Sequence, residues 1–281
     1  MAIRNKDSVL VIPDGKYVIE QPLRLSGVDN LVIKADSPNG VTITSSMDLP
    51  IENLTCLDKA IGLYEYTDPK LIMPPWPDSF KGYAGWPEIY IAGVPLSISR
   101  YPNEGFIQAD SIIRDGKKPE NKETKQEPPK FLSAQLTQNY NKELPLFLNG
   151  YWTFKWADEI IRVDSINPQS GEIELAAPHN YGMGAPSGGL FYAINQPEYV
   201  DTENEYYYNP KTGTLRFIHS FSDEEVESIQ IAYQDFTLLE IRDCNQIKIE
   251  NIDFKYHNNL AVSISNSKSV VIEQAEMYGL G

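Results

Sequence analysis

Carboxylates and aromatic rings are the side chains of this sequence best able to do chemistry. The chain holds 39 Asp and Glu, 4 Trp, 17 Tyr and 10 Phe among 281 residues. Two carboxyl groups roughly 5 to 9.5 Å apart suffice for acid–base or nucleophilic cleavage of a glycosidic bond. Asp243, Glu250 and Asp253 lie close together in sequence, and Asp253, between Ile252 and Phe254, is the candidate catalytic carboxylate. So many acidic residues make a chance pair easy to find, and the plainer reading of each is a solvated or corner-bonded side chain. Trp86, Trp152 and Trp156 can stack on the apolar C–H face of a sugar while the indole N–H meets a hydroxyl. Trp152 and Trp156 are four apart, so strand alternation places both on one face. The competing reading of all three is core packing. Trp76, in Pro74-Pro75-Trp76-Pro77, sits in a stiff, exposed loop and ranks lower.

No pattern points to a metal or a cofactor, and none is expected. Cys56 and Cys244 are far apart, with no Cys-x-x-Cys spacing. They read as two buried free thiols, because free cysteine behaves as a small hydrophobe; a disulfide between them is the alternative. His179, His219 and His257 share no ligand spacing. No His-Glu-x-x-His, Walker loop, Gly-x-Ser-x-Gly or calcium-binding Gly-Gly-x-Gly-x-Asp repeat occurs.

The formal net charge is −15, which argues against a nucleic-acid partner, since phosphate contacts need clustered Lys and Arg. It also disfavours a polyuronate held in a basic groove. No run approaches the roughly 18 to 20 apolar residues of a membrane span, and Met1 to Asp7 lacks the apolar stretch of a signal peptide.

The elements that must position these side chains read as strands. Leu10-Val-Ile12, Tyr17-Val-Ile19, Leu31-Val-Ile33 and Val41-Thr-Ile43 are short β-branched runs, with turn residues between them. The one helix-compatible stretch, near Leu132 to Lys142, is short and polar. Ile241 to Asn251 and Ile264 to Gln274 share one template at an offset of 23 residues (264 − 241): an aliphatic residue at the first, seventh and ninth places and an acidic residue at the tenth. Leu25, Leu31 and Ile33 repeat the aliphatic spacing. Such a repeat describes the coils of a right-handed parallel β-helix of roughly 22 to 25 residues each, stacked about 4.8 Å apart with aliphatic ladders inside. A β-sandwich is the alternative.

The repeats stop near Ser46 and resume near Phe236. Between them lie three hairpin signals, around Ala92-Gly93, Asn167 to Gly171 and Asn209 to Gly213. The expected organisation is all-β: first β-helix coils over 1–49, an inserted antiparallel β-barrel or sandwich over 50–235 with a charged, mobile loop at about 114–130, and resumed coils over 236–281.

Gly93-Val-Pro-Leu-Ser-Ile-Ser-Arg-Tyr-Pro-Asn-Glu-Gly105, Gly150-Tyr-Trp-Thr-Phe-Lys-Trp-Ala-Asp158 and Glu205-Tyr-Tyr-Tyr-Asn-Pro-Lys-Thr-Gly-Thr-Leu-Arg-Phe217 resemble segments of carbohydrate-active right-handed β-helix proteins of the pectin-lyase-like kind. Together they are similar to β-helix glycoside hydrolases with an inserted β-barrel, including β-xylosidase-like and fucosidase-like families. The resemblance implies a polysaccharide or oligosaccharide partner, and an insertion that leans over the helix so that Trp86, Trp152 and Trp156 can line the cleft. It implies a polar corner at Tyr256-His257-Asn258-Asn259 beside the substrate, where His257 and Asn258 can bond a hydroxyl; a plain surface corner is the alternative. In that group the catalytic carboxylates lie on later coils. The expectation is therefore an N-terminal portion of a secreted, periplasmic or cell-surface glycoside hydrolase, itself without activity, acting on a neutral or weakly charged glycan. A polysaccharide lyase or epimerase, and a non-catalytic binding or adhesive protein such as a tail-spike, are the alternatives.

Overall fold

The computed structural model describes residues 8–82, 86–117, 127–136, 140–221 and 228–281. It is all-β; among the described residues the helical segments are short 3-10 turns, such as Pro69–Leu71 and Pro197–Tyr199. The chain forms two compact units, one of residues 1–53, 84–95 and 222–281, the other of 54–83 and 96–221.

Three parallel sheets build most of the first unit. One runs Ser8–Ile12, Asp29–Ala35, Asn245–Glu250, Lys268–Glu273. The second runs Gly15–Val18, Val41–Thr44, Ile252–His257, Met277–Leu280. The third runs Leu23–Ser26, Leu239–Arg242, Val262–Ser265. The chain visits the sheets in turn and adds one strand to each on the next pass. Register aligns Leu25 with Ile241 and Ile264, Leu31 with Ile247 and Val270, and Ile33 with Ile249 and Ile272. Burial follows position in the sheet rather than residue type. Ile241, Ile247 and Ile249 have a neighbouring strand on both sides and are buried, whereas Ile264 lies on an edge strand and is 49% exposed.

The corners explain the polar residues of the template. Left-handed backbone recurs at matching places: Gly27, Asp243 and Asn266; Asn30, Gln246 and Ser269; Asn251 and Gln274, all with φ between +48° and +63°. Two such residues, one before the strand and one just inside it, mark each passage from the third sheet to the first, and one marks the passage from the first to the second at Asn251 and Gln274. Glycine and short polar side chains tolerate that conformation best.

A further antiparallel sheet completes the unit, in the order Val94–Pro95, Glu88–Ile91, Ser228–Ala232, Met47–Pro50. Its hairpin turns at Ala92 and Gly93, both at positive φ as a two-residue primed turn requires. This pairing differs from the expected boundaries. The described residues 86–95 and 228–235, read as part of the insertion, group with the first unit, where the 88–91 strand pairs with 228–232.

The second unit holds two sheets. In the smaller, Glu205–Asn209 and Thr214–Ile218 form an antiparallel hairpin beside Leu63–Thr67. The larger includes Leu190–Ile194, Phe147–Tyr151, Asp158–Asn167, Glu172–Leu175, Lys130–Leu132 and Ser111–Arg114 in that order. Its core gathers Phe131, Leu148, Trp152, Ile161, Ile173 and Phe191. Residues 118–126 of the expected loop, and 137–139 of the helix-compatible stretch, lie outside the described residues. Both cysteines are free; Cys244 is buried, but Cys56 is exposed, contrary to the expectation of two buried thiols.

Candidate functional site

A cleft of about 330 Å³ opens on the second unit. Three prolines around Trp76 fix the backbone of its loop and remove N–H donors. The indole is half-buried and set edge-on to two rings, Phe147 (centroids 5.5 Å apart, 80°) and Tyr208 (5.7 Å, 64°). Such edge-to-face contacts are the favoured geometry of aromatic pairs. Asn195, at φ +57°, holds the wall: its amide donates to the Tyr208 carbonyl at 2.8 Å and its oxygen accepts from the Tyr208 N–H at 2.8 Å. The Tyr208 hydroxyl donates to the Leu71 carbonyl. Tyr207 lines the same cleft, and burial pushes its hydroxyl up to about 12, with Arg216 pulling the other way. It therefore stays a neutral hydroxyl at physiological pH.

Charge enters from the next strand. Arg162 Nε donates to Asp78 at 2.7 Å, and Asp164 lies 3.7 Å from the same guanidinium. Lys211 stands exposed on the Asn209 to Gly213 turn, where the Asn209 side chain accepts from the Lys211 N–H at 3.0 Å. A second hollow of about 350 Å³ shares Leu144, Pro145, Arg162 and Lys211 with the first and adds Lys142, Glu143 and Asp164. The two adjoin along these shared residues as one groove, with the aromatic rings in the first hollow and charged side chains in both.

The residues expected from the sequence are scattered. Trp152 is fully buried, stacked on Phe191 (5.9 Å, 17°), and its N–H donates to the Glu159 carbonyl at 2.9 Å. Trp156 is 69% exposed. The two do not share a face, because the strand Phe147–Tyr151 ends before Trp152 and alternation no longer applies. Trp86 is buried in the first unit, with its carbonyl accepting from the Asn258 amide at 2.6 Å.

The polar corner of the first unit is equally engaged. His257 is fully buried; its Nε2 donates to the Phe236 carbonyl and its Nδ1 accepts from the Ser45 hydroxyl at 2.6 Å. A carbonyl can only accept, so Nε2 carries a proton, and burial favours the neutral ring in which Nδ1 accepts from Ser45. Burial lowers its pKa, partly opposed by the Phe236 carbonyl. As placed, it offers no ring nitrogen to a sugar. Asp253 is buried, accepting from the Glu276 N–H at 2.9 Å and paired with Lys255 at 3.1 Å. It is a corner-bonded carboxylate. The groove residues Asp78, Arg162, Tyr207 and Lys211 were not singled out from the sequence; the Pro-Trp-Pro loop borders Asp78 and the Asn-Pro-Lys-Thr-Gly turn holds Lys211, but no local signal marks Arg162 or Tyr207. Among the described residues no group of three or more His, Cys, Asp or Glu is placed to hold a metal ion. No described helix is long and apolar enough to cross a membrane.

No protein-family profile and no curated protein matches the chain. Among solved structures, a glycoside hydrolase superposes with a TM-score of 0.61 over 89% of this chain, at 14% identity. The likeness shows a shared fold. This chain spans 43% of that protein's length, less than half. The tailspike of Pseudomonas phage phi297 aligns over 96% of this chain and 39% of its own at 8% identity, but its TM-score of 0.17 carries no argument.

Proposed function

We propose that the chain is part of a carbohydrate-active β-helix protein, a glycoside hydrolase acting on a neutral or weakly charged polysaccharide. On this reading the first unit is the start of a right-handed parallel β-helix and the second is its inserted antiparallel domain. The carboxylates that cleave lie outside residues 1–281, and the whole protein is secreted, periplasmic or displayed on the cell surface. The groove around Trp76 carries the reading. It offers ring edges and proline faces for sugar C–H groups, and the Arg162–Asp78 pair and Lys211 for hydroxyls. Its charges are balanced, with Lys142, Arg162 and Lys211 set against Asp78, Glu143 and Asp164. A balanced, hydrogen-bonding groove suits a hydroxyl-rich neutral chain better than a polyuronate.

The test is calorimetric titration of the full chain with xylohexaose, cellohexaose and oligogalacturonate, beside Trp76→Ala. Neutral probes should bind, and the variant should weaken that binding at least tenfold with the fold intact. The same chain incubated with xylan should release no reducing ends. Hydrolysis by this chain would move the catalytic pair inside residues 1–281. Products absorbing near 230 nm would favour a lyase, and binding of none of the probes would sink the carbohydrate reading.

A further inference from the structure

We propose that Trp156 is a second sugar-stacking surface of residues 54–83 and 96–221, separate from the groove, which takes the C–H face of a pyranose in a long glycan. The inference rests on the carbohydrate reading of this protein. Among the described residues Trp156 is the most exposed of the large hydrophobic side chains, at 69%. Its indole lies flat on Phe154, with centroids 5.3 Å apart and planes at 12°. Tyr181, itself 43% exposed, stands edge-on to both rings, at 5.3 Å and 69° to Trp156 and 5.4 Å and 78° to Phe154. Phe154 thus covers only part of one indole face, and most of the indole surface stays open to solvent.

The shelf is held from beneath. The Ala157 N–H donates to the Phe154 carbonyl at 3.0 Å and closes the turn that carries Trp156. The Thr153 hydroxyl donates to the Gly182 carbonyl at 2.7 Å, and His179 Nδ1 donates to the same oxygen at 2.8 Å. Buried His179 also faces Glu159 at 3.4 Å. These bonds tie the Trp156 turn to the Tyr181 turn, so the rings are in place before a ligand arrives, which lowers the ordering cost of binding. Exposed Lys155 and Asp158 flank the indole in sequence, and Asp115 and Lys117 border Gly182, where a Cβ would meet the Lys117 Cβ at 3.1 Å. Such groups supply donors and acceptors around an apolar face.

Size decides between occupants. A specific protein partner needs about 800 Å² on each side, far more than one indole and part of a phenol present. A single pyranose face matches one indole. None of Phe154, Trp156 and Tyr181 lines the groove, so a long chain could engage the shelf while a short one fills the groove alone.

The experiment compares the full chain with Trp156→Ala, Trp156→Tyr and Trp76→Ala. Affinity electrophoresis in gels containing soluble arabinoxylan or mixed-linkage β-glucan reads long chains, and calorimetry with xylohexaose reads the groove. Trp156→Ala should weaken retention by the polymer roughly tenfold and leave hexasaccharide binding and the thermal midpoint unchanged. Trp156→Tyr should restore most of the retention. Equal retention of wild type and Trp156→Ala would overturn the inference while the carbohydrate reading stands. No retention or binding by the wild type would overturn both. A wild-type dimer that Trp156→Ala converts to monomer, with retention unchanged, would make the shelf a self-association surface and overturn it too.

Discussion

Replacing Ile249 by alanine should cost far more than replacing Ile264 by alanine, although both isoleucines fill places of the same repeated template. Ile249 is 1% exposed and stands between Ile33 and Ile272 on its two flanking strands. Truncation removes three carbons, worth about 0.8 kcal/mol each on transfer, or about 2.4 kcal/mol. The cavity left between two fixed neighbours adds to this, giving about 3 to 4 kcal/mol. Ile264 is 49% exposed on an edge strand, so about half the transfer cost applies and no closed cavity forms, leaving about 1 kcal/mol. The gap of about 2 kcal/mol is roughly a thirty-fold ratio in the folded population. Two compact units need not unfold together, so the readout should be local. Hydrogen exchange of peptides covering residues 239–257 reports opening of the parallel sheets directly. Equal acceleration of exchange in the two variants, or none for Ile249→Ala, would refute the lateral-cover argument and with it the stacking of the three sheets.

His257 should make stability pH-dependent. Burial lowers its pKa in the folded chain, so the unfolded chain binds more protons below about pH 6.5. Its contribution is complete above that value and is lost as pH falls toward the folded pKa. His219, also lowered by burial, acts in the same direction. His257→Gln should flatten the slope of denaturation midpoint against pH between about 5 and 7, and an unchanged slope would contradict the neutral, buried ring. The thiols should separate kinetically: a water-soluble thiol reagent should modify exposed Cys56 at once and buried Cys244 only as the first unit opens. Equal rates would contradict the burial of Cys244.

What could be read from the sequence was what depends on neighbours along the chain or one repeat away. The spacing of Ile241, Ile247 and Ile249 is a strand period on either side of a corner, and recurrence at 23 residues sets which residues align. The left-handed corners also leave a trace, because Asn and Gly are cheap there. Lateral cover leaves none. Nothing in the letters at Ile264 distinguishes it from Ile241, since exposure depends on whether another strand lies alongside. The same blindness explains the tryptophans. Trp152 sits one residue past the end of a strand, and Trp156 four further on emerges from a turn, so a period of two could not place either.

The groove was hidden for a different reason. Asp78 reaches Arg162 because Ser79–Phe80 pairs with Ile160 and Ile161 of Asp158–Asn167, and Lys211 arrives on the turn of a separate hairpin. No spacing rule relates 78, 162 and 211; only the pairing of distant strands does. The corner Tyr256-His257-Asn258-Asn259 shows the opposite case. Adjacent polar residues at a corner look solvent-facing, yet Ser45 and Phe236, 212 and 21 residues away from His257, close over its ring and take both nitrogens. A polar side chain that is buried must find such partners or lose about 1 to 3 kcal/mol. The histidine that seemed available for a sugar hydroxyl is thus consumed in holding the corner, with both ring nitrogens bonded inside the first unit.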